Sequence, residues 1–161
     1  MDFGVYPTMF DYCLAMALLY FKEQKCDVVI LETGLGGTYD STNACGVPDV
    51  TVIAKIGFDH MAILGDTLAK IAAEKAGIIK HGTALVLESQ EKEAMDVLNK
   101  AAERADIKTT KVVNLNEIRI LPQKDGKQCF SYAGHDAVTM KMLGVHQYEC
   151  RGGNACSRII F

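Results

Sequence analysis

The apolar positions in the first part of the chain follow a helical spacing and then form a continuous run. Thr8 and Asp11 have the three-residue spacing of a capping box, and apolar residues then recur at helical intervals at Leu14, Ala17, Leu18 and Phe21. This pattern predicts a helix over residues 7–24. Residues 27–31 are a short, β-branched apolar run, which is typical of a strand buried on both faces of a parallel sheet.

Strand and helix patterns continue to alternate through the middle of the chain. Residues 50–56 and 83–87 are apolar runs that predict two further buried strands. Between them, residues 66–77 predict a helix that begins with capping residues and ends at a glycine. Residues 90–105 predict an amphipathic helix, whose apolar face carries Ala94, Val97, Leu98 and Ala101. This alternation indicates an α/β fold with a mostly parallel sheet flanked by helices.

The pattern changes from about residue 112, where short and nearly alternating segments are separated by turn residues. The segments are 118–121, 128–132 and 138–142, and the turns are at 125–126 and 134–136. They predict a small antiparallel β meander. We therefore expect one domain over residues 1–149, with the meander as its subregion 112–143, and an irregular tail over residues 150–161.

Composition narrows the function classes. The chain has 161 residues, of which 49% are hydrophobic, and a formal net charge of −3 with no dense basic run, so a nucleic-acid partner is not expected. It has no apolar stretch of membrane-spanning length and no signal-peptide pattern at its start. None of the six cysteines has Cys-x-x-Cys or zinc-site spacing, which favours a reduced, cytoplasmic protein.

Polar side chains follow two of the predicted strands, and among them Glu32 and His60 are candidate metal ligands. Glu32 ends the first strand run and precedes the glycines of residues 34–37, while Asp59 and His60 follow the second. In open α/β sheets, sites form at the carboxyl ends of strands. Glu32 could bind magnesium, which shares its coordination between protein oxygens, phosphates and water, or it could be a surface residue at a turn. His60 could bind a metal or complete a loop.

Lys75 lies within a predicted short helix, and its side chain can be interpreted in two ways. A lysine there usually extends its ammonium group to solvent. If burial keeps the amine neutral, it can add carbon dioxide and become an anionic carbamate that suits a second magnesium ion. Helix capping explains Thr8, core packing explains Phe10, and a turn explains Asp40 without any functional role.

Several segments, in order and at matching spacing, resemble the folylpolyglutamate synthase family, including its bifunctional dihydrofolate synthase form, within the Mur ligase superfamily. The resemblance covers residues 7–90 most strongly and reaches residue 147 more weakly. It is carried by PTMFD at 7–11, LETGLGGTYDSTN at 31–43, IGFDH at 56–60, LGDT at 64–67, EKAGI at 74–78 and LGVHQ at 143–147.

The resemblance implies an ATP-dependent ligase that phosphorylates a folate carboxylate and joins the resulting acyl phosphate to the amine of glutamate. Glu32 matches the family's first magnesium ligand, His60 a ligand of the second, and Lys75 the lysine modified to a carbamate. The implied contacts to the pteroate end of the substrate are Thr8, Phe10, Asp11, Tyr39, Asp40 and Ser41. The implied partners are Mg²⁺, ATP, L-glutamate and folate or dihydropteroate, and the implied complete enzyme is a monomer.

The sequence also departs from the family pattern. The family's phosphate-binding P-loop does not occur, so we expect a central ATPase-domain fragment that lacks both the P-loop and the carboxyl-terminal domain. Such a fragment would have little activity alone and would expose unpaired sheet edges. Thr38 replaces the family's usual arginine, Lys55 stands where serine is common, and residues 150–153 interrupt an expected helix.

Three other functions stay open on the sequence. The first is a fragment of another Mur-type amino-acid ligase, which the pteroate-type segments disfavour. The second is a non-catalytic remnant or interaction domain, which magnesium-dependent ATP binding would distinguish. The third is a metal-dependent hydrolase that uses Glu32, Asp59 and His60, although open catalytic metal sites usually have three protein ligands and no further ligand set is evident.

Overall fold

The computed structural model describes residues 6–113 and 115–141. Its helices are α1 (Met9–Glu23), α2 (Met61–Leu64), α3 (Leu68–Ala76) and α4 (Lys92–Arg104), with short 3₁₀ turns at Ser41–Ala44 and Leu115–Glu117. Its strands are β1 (Val50–Ile53), β2 (Ala84–Leu87), β3 (Thr110–Val112), β4 (Arg119–Lys124), β5 (Lys127–Tyr132) and β6 (His135–Met140). Among these helices, none has both the length and the apolar character that crossing a membrane requires.

The first sheet is parallel and has the order β1-β2-β3. Side chains that alternate along β2 enter two different cores, because successive residues of a strand point to opposite faces. Leu85 and Leu87 join the core formed with α3 and α4. Val86 belongs to a second core, which it shares with Phe130 and Tyr132 of β5. The parallel sheet therefore has helices on one face and the meander on the other.

The second sheet is the predicted antiparallel meander, with the order β4-β5-β6. Asp125 and Gly126 both have positive φ, as a two-residue hairpin turn of the primed type requires, which confirms the turn predicted there. The turn predicted at residues 134–136 is wrong by one residue. Ala133 and Gly134 make it, both with positive φ, and His135 is already in β6. The end of the predicted segment 138–142, the predicted tail and the motif at 143–147 fall on or beyond residue 142, outside the described residues.

The predicted helices are confirmed, although their bounds are slightly shorter. α1 begins at the predicted capping box, in which Thr8 Oγ1 accepts from the amide of Asp11 and the Asp11 carboxylate accepts from the amide of Thr8. α3 begins after Thr67, whose hydroxyl accepts from the amide of Lys70, and ends at Gly77. The sequence did not predict α2 or β3, which are only four and three residues long.

Two strand predictions need correction. Residues 27–31 are not a buried strand, because no strand among the described residues hydrogen-bonds to them and their side chains are exposed, with Ile30 at 88%. The sheet therefore ends at β1 in the described part of the chain. The strand predicted over residues 50–56 ends at Ile53, where its ladder with β2 stops.

Candidate functional site

The glycine-rich loop packs directly on the last turn of α3. A Cβ atom on Gly37 would lie 2.6 Å from the carbonyl oxygen of Glu74, so only glycine fits there without movement. Next to it, Thr38 donates to the same oxygen from its amide at 2.9 Å and from its hydroxyl at 3.1 Å. The same oxygen also accepts from the amide of Gly77 at 3.2 Å, so the loop adds two donors to an oxygen in the last turn of the helix. The lack of a side chain at Gly37 thus lets the loop approach the helix backbone closely.

Asn43 and Lys80 extend this junction. The side-chain amide of Asn43 donates to the carbonyl oxygens of Thr38 at 3.0 Å and Gly77 at 3.1 Å. Lys80 Nζ donates to the carbonyl oxygens of Asn43 and Gly46. The end of α3 and the loop that follows Glu32 are thereby fixed to each other. Asn43 belongs to a motif quoted above, whereas nothing in the sequence pattern pointed to Lys80.

A cavity of about 200 Å³ opens beside this junction. Its lining comes from three separate segments, namely residues 33–36, residues 57–64 through Gly57, Asp59, His60 and Leu64, and α3 through Ile71 and Lys75. Sequence-distant candidates, an imidazole and an amine, thus meet at one cavity. Glu32 directly precedes the lining residue Thr33, and its side chain is exposed.

His60 is held in an unusual backbone conformation next to a carboxylate. It has φ 49° and ψ 35°, in the left-handed region that residues other than glycine seldom adopt. Its amide donates to Asp59 Oδ1 at 2.7 Å, and its Nε2 lies 3.7 Å from Asp59 Oδ2. Such strained positions cluster at functional sites, where the surrounding structure maintains them.

Lys75 is half-buried in the last turn of α3, and among the described residues its ammonium group has no hydrogen-bond or ion-pair partner. Within the same residues, no group of three or more His, Cys, Asp or Glu side chains is arranged to hold a metal ion. A metal here would therefore depend on fewer protein donors. That suits magnesium, which commonly binds one or two carboxylates and completes its shell with water and phosphate oxygens.

Asp40 organises the other side of the loop. Its Oδ2 accepts from the amides of Gly34 and Leu35, each at 2.9 Å, and its Oδ1 accepts from the amide of Thr42 at 3.0 Å and from the hydroxyl of the same residue. Burial raises the pKa of Asp40, but the hydrogen bonds from Thr42, Leu35 and Gly34 outweigh it and hold the pKa below its ordinary value.

Three of the other residues predicted to contact a pteroate group, Phe10, Asp11 and Ser41, are linked to this loop by contacts. Asp11 Oδ1 accepts from the hydroxyl of Ser41, and this bond, together with those from Thr8, lowers the pKa of Asp11. The Phe10 ring packs over Gly34, where an added Cβ would lie 3.2 Å from ring atom Cζ. The side chain of Tyr39, the residue before Asp40, is 91% exposed.

Comparisons with known proteins agree with this fold. Residues 8–149 match the Mur ligase middle domain. The chain is 54% identical over 99 residues to the dihydrofolate synthase/folylpolyglutamate synthase of Bacillus subtilis, covering 61% of this chain and 23% of that protein. It is 42% identical over 144 residues to a folylpolyglutamate synthase of Arabidopsis thaliana, covering 88% of this chain and 25% of that protein.

Among solved structures, an FPGS–AMPPCP–folate complex matches with a TM-score of 0.87 and 25% identity, covering 96% of this chain and 38% of that chain. An α/β domain with a polar cavity, to which the segment after β1 brings Asp59 and His60 and helix α3 brings Lys75, is the class that the fold and cavity define. The chain belongs to the folylpolyglutamate synthase family of the Mur ligase superfamily. It spans about a quarter of the length of the two curated relatives just named.

Proposed function

We propose that this chain forms the central part of an ATP-dependent ligase that adds L-glutamate to folate or dihydropteroate. In that reaction the γ-phosphoryl group of ATP passes to a carboxylate oxygen of the substrate, releasing ADP. The glutamate amine then attacks the acyl carbon, an amide forms, and phosphate and a proton leave. The names of the relatives and the folate and AMPPCP in the matching complex support this substrate set.

The observation that carries the proposal is the meeting of His60, Asp59 and Lys75 with the glycine loop at one cavity. Asp59 and His60 follow β1, whereas Lys75 lies in the last turn of α3, so their proximity is a product of folding. Phosphoryl transfer depends on positioning and on stabilising developing charge, and cationic or metal-binding groups at one cavity are what it requires.

The donor set fits magnesium in kind. Glu32, which precedes the lining residue Thr33, would offer carboxylate oxygens. His60 lines the cavity and offers a nitrogen next to Asp59, and Lys75 would offer carbamate oxygens after modification. When bound, the metal supplies positive charge that neutralises the phosphate oxygens. The part of the chain itself is to hold Lys75 half-buried at the end of α3 and to place the His60 ring at the same cavity, with its Nε2 3.7 Å from Asp59 Oδ2.

The substrate side of the proposal rests on the loop around Asp40. Asp40 fixes the backbone of Gly34 and Leu35, and the Phe10 ring covers Gly34. The exposed Tyr39 ring is available for stacking on a planar heterocycle. Aromatic groups beside a rigid loop suit the flat pteroate end of a folate better than an aliphatic cell-wall substrate.

Replacing the matched 99-residue segment of the Bacillus subtilis relative with the corresponding residues of this chain tests the function. We expect the chimera to release phosphate from ATP only when folate and L-glutamate are both present. His60→Ala in the chimera should abolish this release. Asp136→Asn changes an exposed carboxylate in the meander and should leave the release unchanged in a chimera that contains this residue. A folded chimera that is inactive, or equally active with His60→Ala, would favour a non-catalytic role.

Labelled bicarbonate tests the carbamate. With ¹³C-bicarbonate, we expect one carbamate carbon signal that Lys75→Arg removes. Lys70→Arg is the matched control, since Lys70 lies on the same helix but is exposed and paired with Asp66. Retention of the signal in Lys75→Arg would assign it to another amine and remove the carbamate from the proposal.

The same proposal includes a monomeric state and a cytoplasmic location. Support for the location comes from the described cysteines, which are free thiols, as reducing compartments favour. Sedimentation of the complete enzyme would measure its oligomeric state.

A further inference from the structure

The chain that leads to His60 is held by side chains after its strand has ended. The ladder between β1 and β2 pairs Ile53 with Leu87, and its last bond runs from the amide of Glu88 to the carbonyl oxygen of Ile53 at 2.9 Å. From there residues 54–56 continue toward the cavity, while the segment that follows β2 turns away to begin α4. Backbone groups in such a segment need other partners, because leaving them unpaired in a protein interior is costly.

Gln90 supplies two of these partners. Its Oε1 accepts from the amide of Ile56 at 2.8 Å, and its Nε2 donates to the carbonyl oxygen of Ala54 at 2.9 Å. A primary amide carries the same donor and acceptor as a peptide group, so this side chain takes the place of one more residue in the ladder. The orientation of the amide follows from its partners, since a backbone amide only donates and a carbonyl only accepts.

Glu88 supplies the third partner. Its carboxylate, on a residue that is only 4% exposed, accepts from the amide of Lys55 through Oε2 at 2.9 Å. Lys55 Nζ in turn donates to the carbonyl oxygen of Ser89 at 3.0 Å. Ile56 is buried in the core at 3% exposure, so the segment is fixed through both its backbone and its side chain.

The fixed segment is followed at once by the cavity residues Gly57, Asp59 and His60. We infer that Gln90, assisted by Glu88, is a positioning residue that sets where the Gly57–His60 turn, and with it the imidazole of His60, stands relative to Lys75. The left-handed backbone of His60 requires such external support. The consequence for metal binding rests on the proposed function, whereas the placement of the ring does not.

Gln90→Glu in this chain is the primary test, because the change keeps the size and one acceptor oxygen but sets an oxygen against the carbonyl of Ala54. Gln123→Glu is the matched control, since Gln123 is exposed on β4. NMR signals of the His60 ring, assigned with His60→Ala, report its placement without any metal. We expect Gln90→Glu to shift those signals but not the signals of His135, and Gln123→Glu to leave the His60 signals unchanged.

A folded Gln90→Glu variant whose His60 signals superimpose on those of the wild type would overturn the inference. Hydrogen exchange in the wild-type chain is a second test that needs no variant. We expect the amides of Lys55 and Ile56 to be protected like those of β1, and exchange at unprotected rates would also overturn the inference.

Titration with Mn²⁺ then connects the placement of His60 to the site. If the wild type binds Mn²⁺, Gln90→Glu should raise the dissociation constant about tenfold or more, as loss of an orienting partner typically does. An unchanged constant in a folded variant would refute the role of Gln90 at the site. If the wild type binds no Mn²⁺, the metal part of the proposed function fails, while the His60 signals still decide the positioning role.

Discussion

Thr38 and Glu74 are joined by two hydrogen bonds to a single oxygen, one from the Thr38 amide and one from its hydroxyl. These bonds fix the loop that follows Glu32 to the helix that carries Lys75. Thr38 and Glu74 themselves lie 36 positions apart in the sequence. The folylpolyglutamate synthase family usually has arginine where this chain has Thr38. In this chain the short side chain of Thr38 makes the junction, by donating its hydroxyl group to the last turn of α3.

Thr38→Val should weaken this junction without abolishing it. The variant keeps the shape and the amide bond but loses the hydroxyl donor, so we expect the free energy of unfolding to fall by about 1 kcal/mol. Urea unfolding monitored by circular dichroism measures the change. Thr110→Val is the matched control, since Thr110 lies exposed on β3, and we expect it to be nearly neutral. Equal effects of the two substitutions would contradict a role for the hydroxyl.

Gly37→Ala should be more damaging, because its new methyl group would lie 2.6 Å from the Glu74 carbonyl oxygen and 3.0 Å from that of Lys75. Both atoms are backbone, so the loop and α3 must separate, which we expect to cost about 1–3 kcal/mol of stability, as overpacking typically does. Gly57→Ala is the control, because nothing lies within 4 Å of its added Cβ. Thermal unfolding measures the midpoint temperature of both variants. Equal midpoints would contradict the close packing of Gly37 on α3.

Asp40→Asn tests the electrostatics of the loop. The folded-state pKa of Asp40 lies below its ordinary value of 3.8, so its ionised form contributes stability above that pH. The contribution is lost as the pH falls from the ordinary value through the lower folded-state pKa. At pH 7 we expect Asp40→Asn to lower the free energy of unfolding by about 1–3 kcal/mol, because an amide nitrogen cannot accept the bonds from backbone amides.

Urea unfolding at pH 7 and below pH 4 measures this difference, which should shrink on acidification. Asp136→Asn, at an exposed carboxylate in β6, should change stability little at either pH. A loss in Asp40→Asn that stays constant across this pH range would show that the charge of Asp40 is not responsible.

The sequence predicted the helices and the meander well because their signals are local. The capping box at Thr8, the glycine after α3 and the Asp125–Gly126 turn each act within a few residues. It could not predict the partners of Gln90, which lie 34 and 36 positions away and depend on where the ladder between β1 and β2 ends. The short strand β3 was missed because three residues carry too little periodicity.

The candidate site was predictable in part for the same reason. His60 lies at the cavity because it follows β1, and sites in such sheets form beyond the carboxyl ends of strands, whereas the run before Glu32 is not a strand. The packing of Gly37 on α3 could not be predicted, since a glycine marks backbone freedom but not which partner approaches it. The junction through Asn43 and Lys80 depends on tertiary contacts with carbonyl groups, for which side-chain type alone gives no signal.

The exposed run at residues 28–31 provides a direct test of the corrected strand. A β-branched run predicts burial, yet Ile30 is 88% exposed, while Ile71 on α3 is 1% exposed. Ile71→Ala should therefore lower the free energy of unfolding by about 2–5 kcal/mol, because it removes buried methylene groups and leaves a cavity. Ile30→Ala should change stability by no more than about 0.5 kcal/mol, as surface substitutions usually do.

Urea unfolding of the two alanine variants measures both values under the same conditions. Light scattering of the wild type and Ile30→Ala over a concentration series adds a second readout, because exposed apolar extended segments promote association. We expect Ile30→Ala to reduce association without loss of stability. A loss as large as that of Ile71→Ala would mean that Ile30 is buried, and residues 28–31 would then have to be returned to the sheet beside β1.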